Sequence, residues 1–381
     1  MTRPDGRHRG GARNRNRHRI ALISASVVGA LISASLLVVI GYAWKNVTDL
    51  QNGLHRVHLS AIKPIAPVAS GRGASRVHGV AQNILVVGAD DRSDLSPQLA
   101  HLLHAGHDQT MSTDTMMILH VPADGSKATL ISLPRDSYVD IPDGWAKNKL
   151  NAAFADGYTG ASGTEDEKRA AGMNLLIRTV EKLTGLPINH YVQVDLLGFY
   201  DISKAIGGVH IDLCHAVDDS RYSGLQLSAG PHDISGATAV KFVRQRHNVP
   251  GGDLGRERRQ QYFLASALKT VESAGVLLDP TKLHRLIDSV HKSLYVDDGF
   301  DIFAFAEQMS QLTANHITAH TIPTEGGATV DIVGQSSDVE IVNPAKVRAD
   351  VRGWIAGTPT TGHHHRHHHH AKRPITSGCI N

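Results

Sequence analysis

The chain reads as an α/β protein with a mixed central sheet, and two observations carry that reading. Short apolar runs of strand length, Ile84–Val87, Thr115–Val121 and Ala128–Leu133, are continuous in the way of strands covered on both faces. Around them lie longer segments whose apolar residues recur at helical spacing, so helices and strands interleave. With 381 residues and 41% hydrophobic content, the chain can hold such a core with appendages.

Residues 1–19 carry seven arginines and one aspartate, which more than accounts for the net charge of +3 and leaves the remainder net acidic. From Ile20 to Trp44 there are 25 residues without a charge. At about 1.5 Å per residue this run spans the roughly 30 Å hydrocarbon core with some tilt, and it exceeds the apolar stretch of a cleaved signal peptide. The arginines on its N-terminal side place residues 1–19 in the cytoplasm and everything after Trp44 outside, a single-pass cell-membrane anchor. Residues 45–80 lack a clear period and read as an extracytoplasmic stalk.

Order is expected from about Asn83. The Ile84–Val87 strand empties into Gly88-Ala89-Asp90-Asp91-Arg92, and a polar insertion runs to about Ser112. Thr115–Val121 and Ala128–Leu133 are joined by Pro122-Ala123-Asp124-Gly125, which suits a hairpin, and the second strand ends in Pro134-Arg135-Asp136. Helices are predicted over about 151–156 and 165–183, a strand at His190–Val194, a helix over 195–206 stopped by Gly207-Gly208, and an alternating strand Val209–Leu213. In Phe242–Gln261, Arg244 and Arg246 stand two apart before Pro250-Gly251-Gly252 breaks the chain and Asp253 begins a helix. On that helix Arg256, Arg259, Gln260 and Phe263 recur at three- and four-residue steps, so one face begins with guanidinium and amide groups and ends apolar. Helices near 280–293 and 301–313, a strand His316–Ile322 and a closing helix Pro344–Ile355 complete a domain taken as 81–357. Residues 358–381 read as a flexible His-rich tail, whose tract His363–His370 has the composition of a metal-binding run.

Arginine is a planar, permanently charged fork suited to paired phosphate oxygens, so this cluster points to a diphosphate. Because the chain beyond Arg19 is net acidic, a local site explains it better than attraction to nucleic acid, and no nucleic-acid partner is expected. Asp90-Asp91-Arg92, Ser112-Thr113-Asp114 and Arg135-Asp136 all fall at strand ends, along the edge where open sheets bind ligands. Asp90 and Asp114 would make an oxygen-only pair suited to Mg²⁺, or Mn²⁺. A metal-neutralised diphosphate gripped by arginines is an arrangement for phosphoryl transfer. No Ser-His-Asp order or GxSxG elbow is visible, so direct displacement is expected. Outside the membrane, Cys214 and Cys379 are expected to form a disulfide tying the tail back.

The series NILVVGADDR, STDTMMILHV, LISLPRDSYVDIP, NKLNAAF, HYVQVDLLGFYDISKAIGGVHIDL and FVRQRHNVPGGDLGRERRQQ resembles the LytR-CpsA-Psr family of cell-wall glycopolymer ligases over about residues 83–270. The resemblance implies a three-layer α/β/α sandwich behind one transmembrane helix, with a tunnel for a lipid tail. It implies a phosphotransferase moving a glycopolymer such as teichoic acid from a polyprenyl diphosphate carrier to a peptidoglycan hydroxyl. Asp90 and Asp114 match the family's acidic Mg²⁺ positions, and Arg135, Arg244, Arg246, Arg256 and Gln260 match its diphosphate-binding set. Arg92 closes the first loop motif. Asp136 and Asp253 stand where a carboxylate orients an arginine or accepts a proton. Where the family usually has arginine, two residues before the second acidic position, this chain has Ser112. Candidate walls for the lipid tail are Leu196, Leu197, Phe199 and Ile202, with the helix after Gln261. Two other readings stay open: a hydrolase of polyprenyl diphosphates at the same site, and a non-catalytic envelope or transcription-attenuating protein that binds lipid-linked glycans.

Overall fold

In a computed structural model of the chain, residues 54–62, 80–92, 95–105, 112–125, 127–250, 252–273, 294–301, 305, 316–357 and 378–381 are described. They belong to the compact unit Leu54–Asn381; the unit Met1–Gly53, with the expected tail 1–19 and span 20–44, lies outside them. Among the described residues no helix is long and apolar enough to cross a membrane. The helices expected near 280–293 and 301–313 and the tract His363–His370 also fall outside them.

In chain order the elements are β1 (His55–Val57), β2 (Gln82–Ala89), α1 (Pro97–Leu102), β3 (Thr113–Val121), β4 (Ala128–Ser132), β5 (Ser137–Val139) and β6 (Asn148–Lys149). Then come α2 (Ala152–Gly160), α3 (Glu165–Thr184), β7 (His190–Val194), α4 (Leu196–Ala205), β8 (Val209–Leu213), β9 (Val217–Asp219), β10 (Leu225–Leu227) and β11 (Gly230–Ile234). The last are α5 (Gly236–Arg244), α6 (Gly252–Ser273), β12 (Leu294–Asp297), β13 (Ile317–Thr321), β14 (Gly327–Ile332), β15 (Gln335–Ile341) and α7 (Pro344–Ile355).

The central sheet is seven-stranded, in the order β1-β12-β7-β2-β3-β4-β13. It is mixed: β2 pairs parallel with β7 and antiparallel with β3, β3 antiparallel with β4, and β4 parallel with β13. The carboxyl ends of β2, β4 and β7 therefore open on one edge. Strand β2 shows why its sequence is apolar throughout. Leu85 and Val87 face a core built with Phe154 of α2, Met173, Leu176 and Val180 of α3, and Val347 of α7. Ile84 and Val86 face the opposite side, where Leu264 of α6 packs. Helices thus lie on both faces, and each fully buried aliphatic side chain contributes about 1.5–3 kcal/mol. Helix α3 starts at a capping box in which Thr164 and Glu167 exchange hydrogen bonds, and it ends at Gly185 in the left-handed region (φ 73°).

Residues 45–80, expected as a stalk with order beginning near Asn83, contribute β1 to this sheet: it pairs parallel with β12, and Leu54 and Leu59 are buried. A second, four-stranded sheet β14-β15-β5-β6 was absent from the sequence reading. So was α5, which forms between β11 and the arginine stretch.

A second core joins β8, β9, β10, β11, α5 and α6 through Val209, Ile211, Val217, Leu225, Ile234, Phe242 and Phe263. The C-terminal residues close on it. Cys214 and Cys379 form the expected disulfide with a Cα–Cα distance of 4.9 Å. Ile380 bonds like a short strand: its N–H donates to Asp212 O at 2.8 Å and its carbonyl accepts from Cys214 N at 3.0 Å. With the two cysteines 165 positions apart, replacing both by serine should cost about 2–5 kcal/mol, seen as a lower urea midpoint. Alkylation of either thiol in the native protein without reductant would contradict this bond.

Candidate active site

The site assembles at the edge where β2 and β4 end and β3 begins. The register of β2 on β3 pairs Gly88 with Thr115 and Ala89 with Thr113, so Asp114 is the extra residue of a bulge. Bulges re-aim a side chain at a strand end, and this one sets Asp114 apart from the ladder. Asp90 follows directly, its N–H donating to Ser112 O at 2.8 Å, which ties the two acidic loops together. After β4, Ser137 N donates to Pro134 O at 3.0 Å and closes a turn with Arg135 and Asp136 at its corner.

Asp114 is the hub. Its carboxylate accepts from Arg135 Nη1 at 2.6 Å and from Ser112 Oγ at 3.0 Å, and Arg246 Nη2 lies 3.6 Å away. Arg256 Nη2 reaches the Asp114 main-chain oxygen at 3.4 Å. Burial raises the Asp114 pKa, but Arg135, then Arg246 and Arg256, more than offset this and hold it below the ordinary value of 3.8. Asp90 is gripped by Arg92 through both carboxylate oxygens, with Nε at 2.8 Å. Arg244 is mostly buried and donates to Leu103 O at 3.0 Å. Burial lowers its pKa, Asp90 and Asp114 pull it back up, and Arg92 and Arg246 push it down, so all of these charges converge. The guanidinium groups outnumber the carboxylates, which leaves an anion-attracting excess.

The remaining expected residues separate. Asp136 pairs with Lys149 Nζ at 3.0 Å and with Arg135 Nε at 3.4 Å. Gln260 donates to Val243 O at 3.2 Å, and its Oε1 is buried without a hydrogen bond among the described residues. Asp253 lies in the first turn of α6, but its side chain is outside the described residues. Arg259, expected beside Arg256 in the substrate-binding set, is turned into the second core and bonds to Gln245 and Asn381. The helix is held close: a Cβ on Gly255 would meet Pro250 O at 2.4 Å, so the preceding turn packs directly on it. Gln261 anchors the same helix to the sheet through Ser132 Oγ at 2.6 Å. Of the candidate lipid-facing residues, Phe199 packs on Phe263 with centroids 5.0 Å apart and Leu196 is buried, while Leu197 and Ile202 are part-exposed.

Sequence reasoning did not single out Lys149, Arg169, which binds Asp91 at 2.8 Å, or Gln245. Lys149 lies within the NKLNAAF motif, so a signal was present there.

Among the described residues no group of three or more His, Cys, Asp or Glu side chains could hold a metal by itself. Mg²⁺ needs only one or two acids when phosphate and water complete its shell. The Asp90 and Asp114 carboxylates, on neighbouring strand ends tied by the Asp90–Ser112 bond, fit that requirement.

The family described as the LytR_cpsA_psr family matches residues 65–346. The cell wall biosynthesis protein LcpA of Corynebacterium glutamicum is 39% identical over 260 residues, which is 64% of this chain and 50% of that protein. TagU of Bacillus cereus, a polyisoprenyl-teichoic acid–peptidoglycan teichoic acid transferase, is 30% identical over 230 residues, 60% of this chain and 64% of that protein. The chain thus spans between about half and two thirds of these relatives. TagV of B. subtilis has the same fold, with a TM-score of 0.54 at 21% identity over 73% of this chain and 97% of that one.

Proposed function

Because the chain belongs to the LytR-CpsA-Psr family, we propose that it is a membrane-anchored phosphotransferase moving a glycopolymer from a polyprenyl diphosphate carrier to a peptidoglycan hydroxyl outside the cell membrane. The observation that carries this reading is the convergence of Arg92, Arg135, Arg244, Arg246 and Arg256 on Asp90 and Asp114 at one sheet edge. The teichoic acid transferase names of the TagU relatives support the donor and acceptor classes. The uncharged run 20–44 supports the anchor, with the N-terminus cytoplasmic.

The arginines bind the diphosphate oxygens and stabilise the charge that grows on them during displacement. Asp90 and Asp114 would hold Mg²⁺, or Mn²⁺, which supplies neutralisation of phosphate charge when bound. The acceptor hydroxyl oxygen attacks the phosphorus attached to the glycopolymer; the bond to the bridging oxygen breaks, and polyprenyl phosphate leaves. Asp136 and Asp253 are the carboxylates at motif positions that can receive the hydroxyl proton or orient an arginine. Leu196, Leu197, Phe199, Ile202 and the apolar part of α6 are the walls assigned to the lipid tail. The test is a reconstituted assay with a lipid-linked polymer and peptidoglycan fragments in Mg²⁺. Polymer attached to peptidoglycan is the expected product; release of free phosphate alone would replace this reading by hydrolysis, and no turnover would replace it by a non-catalytic binding role.

A further inference from the structure

We infer that Arg259 is a positioning residue that sets Arg244 and Arg246 for the diphosphate by holding Gln245 between them; the inference rests on the function proposed above. Arg259 is 1% exposed, unusual for so polar a side chain. Its Nη1 donates to Gln245 Oε1, its Nε donates to the Asn381 main-chain oxygen at 2.8 Å, and its guanidinium lies over the Phe242 ring, 5.0 Å from the centroid. Burial pushes its pKa down to about 10, the Asp219 charge offsetting part of this, so it stays cationic at neutral pH.

Gln245 is fully buried, and its Nε2 donates to His247 O at 2.9 Å. Its backbone is extended (φ −60°, ψ 129°) just past the end of α5. In extended backbone successive side chains point to opposite sides. Seating Gln245 on Arg259 therefore turns Arg246 the other way, to Asp114, and fixes the end of α5 that carries Arg244. One helix thus supplies both partners of the arrangement: Arg256 meets Asp114 in the site, and Arg259, one turn later, braces the strand-like segment from behind. Arginine suits this role because its planar fork reaches Gln245 and Asn381 at once, which a lysine point charge does not.

The test uses the full chain with Arg259→Lys, Gln245→Met, the double variant, and Arg258→Ala as a control for charge on an exposed position of the same helix. Steady-state transfer from a polyprenyl diphosphate-linked donor, calorimetric binding of inorganic pyrophosphate, and the thermal midpoint are measured for each. Each single variant is expected to lower kcat by about tenfold to a hundredfold, with a smaller change in donor KM, as misplacement of binding groups does. The double variant should fall no further than the worse single one, because both break the same contact, and Arg258→Ala should match the wild type. A kcat within about twofold of wild type in a folded single variant, or losses that multiply in the double variant, would overturn the inference. Should Arg259→Lys fail to fold, Gln245→Met alone decides. If the wild type gives no transfer, the proposed function fails separately, and pyrophosphate binding then decides: weaker binding in Gln245→Met supports the brace, and unchanged binding overturns it.

Discussion

Arg244→Ala is expected to lower glycopolymer transfer by about a hundredfold to a thousandfold while the protein stays folded. Arg244 combines burial with a position where the charges of Asp90, Arg92, Asp114 and Arg246 all act on it. Burial lowers its pKa and the charges of Asp90 and Asp114 offset this only in part, so a diphosphate bound as proposed would complete its surroundings. Its remaining anchor, the bond to Leu103 O, fixes direction without neutralising charge. Alanine removes a charged donor where phosphate charge grows during displacement, so the loss should fall on kcat and kcat/KM together. Loss in KM alone would mean that Arg244 contributes only ground-state binding. A lysine at the same position should recover only part of the rate, because it cannot offer two parallel N–H groups.

Asp114→Asn should be nearly as damaging to turnover, about a hundredfold, and extra Mg²⁺ should not restore it. The carboxylate accepts from Arg135 and Ser112 and lies near Arg246, and the amide would present N–H groups to guanidinium groups. The stability cost should be about 1–3 kcal/mol, below that of breaking a fully buried pair because the side chain keeps 28% exposure. The acid response gives a second readout. The folded pKa of Asp114 lies below its ordinary value, so its contribution to stability is present above that value and is lost as pH falls through the folded one. Urea midpoints measured below about pH 4 should therefore decline less steeply in Asp114→Asn than in the wild type. Parallel declines would show that Asp114 is not strongly paired with Arg135 in the folded protein.

Much of the fold was legible because strands buried on both faces write themselves as unbroken apolar runs. Gln82–Ala89 and Ala128–Ser132 are of this kind, and the sequence placed both within a few residues. The hairpin of β14 and β15 was missed although Ala328, Val330 and Ile332 alternate with exposed residues along β14; its residues are nearly all exposed or half-exposed, and β15 opens on the polar run Gln335–Asp338, so the alternation does not carry into the partner strand. Strand β1 escaped for a related reason: it is a three-residue edge strand in a polar stretch. Helix α5 was missed although Ser235 is an N-cap type of residue and Ala239, Val240 and Phe242 bury one face; it is only nine residues long and opens on Gly236, a poor helix former.

In the site, the residues of each loop motif were legible as chemistry, but their partners were not. Arg256 and Arg259 have equivalent spacing on α6, yet one faces Asp114 and the other enters a core closed by the C-terminal residues. That difference depends on contacts with Gln245 and Asn381, distant in sequence, which no helical period encodes. Ser112, where the resemblance led to an expectation of arginine, hydrogen bonds to Asp114 and adds no charge, while Arg135 and Arg246 flank the same carboxylate.

Recognition of a diphosphate by this arginine cluster is the property on which the proposed transfer depends. The direct measurement is the affinity of the wild-type protein, in Mg²⁺, for a short-chain prenyl diphosphate and for the matching prenyl alcohol, with inorganic pyrophosphate as competitor. The diphosphate should bind at least about tenfold more tightly than the alcohol and be displaced by pyrophosphate; equal affinities, with no displacement, would contradict such recognition.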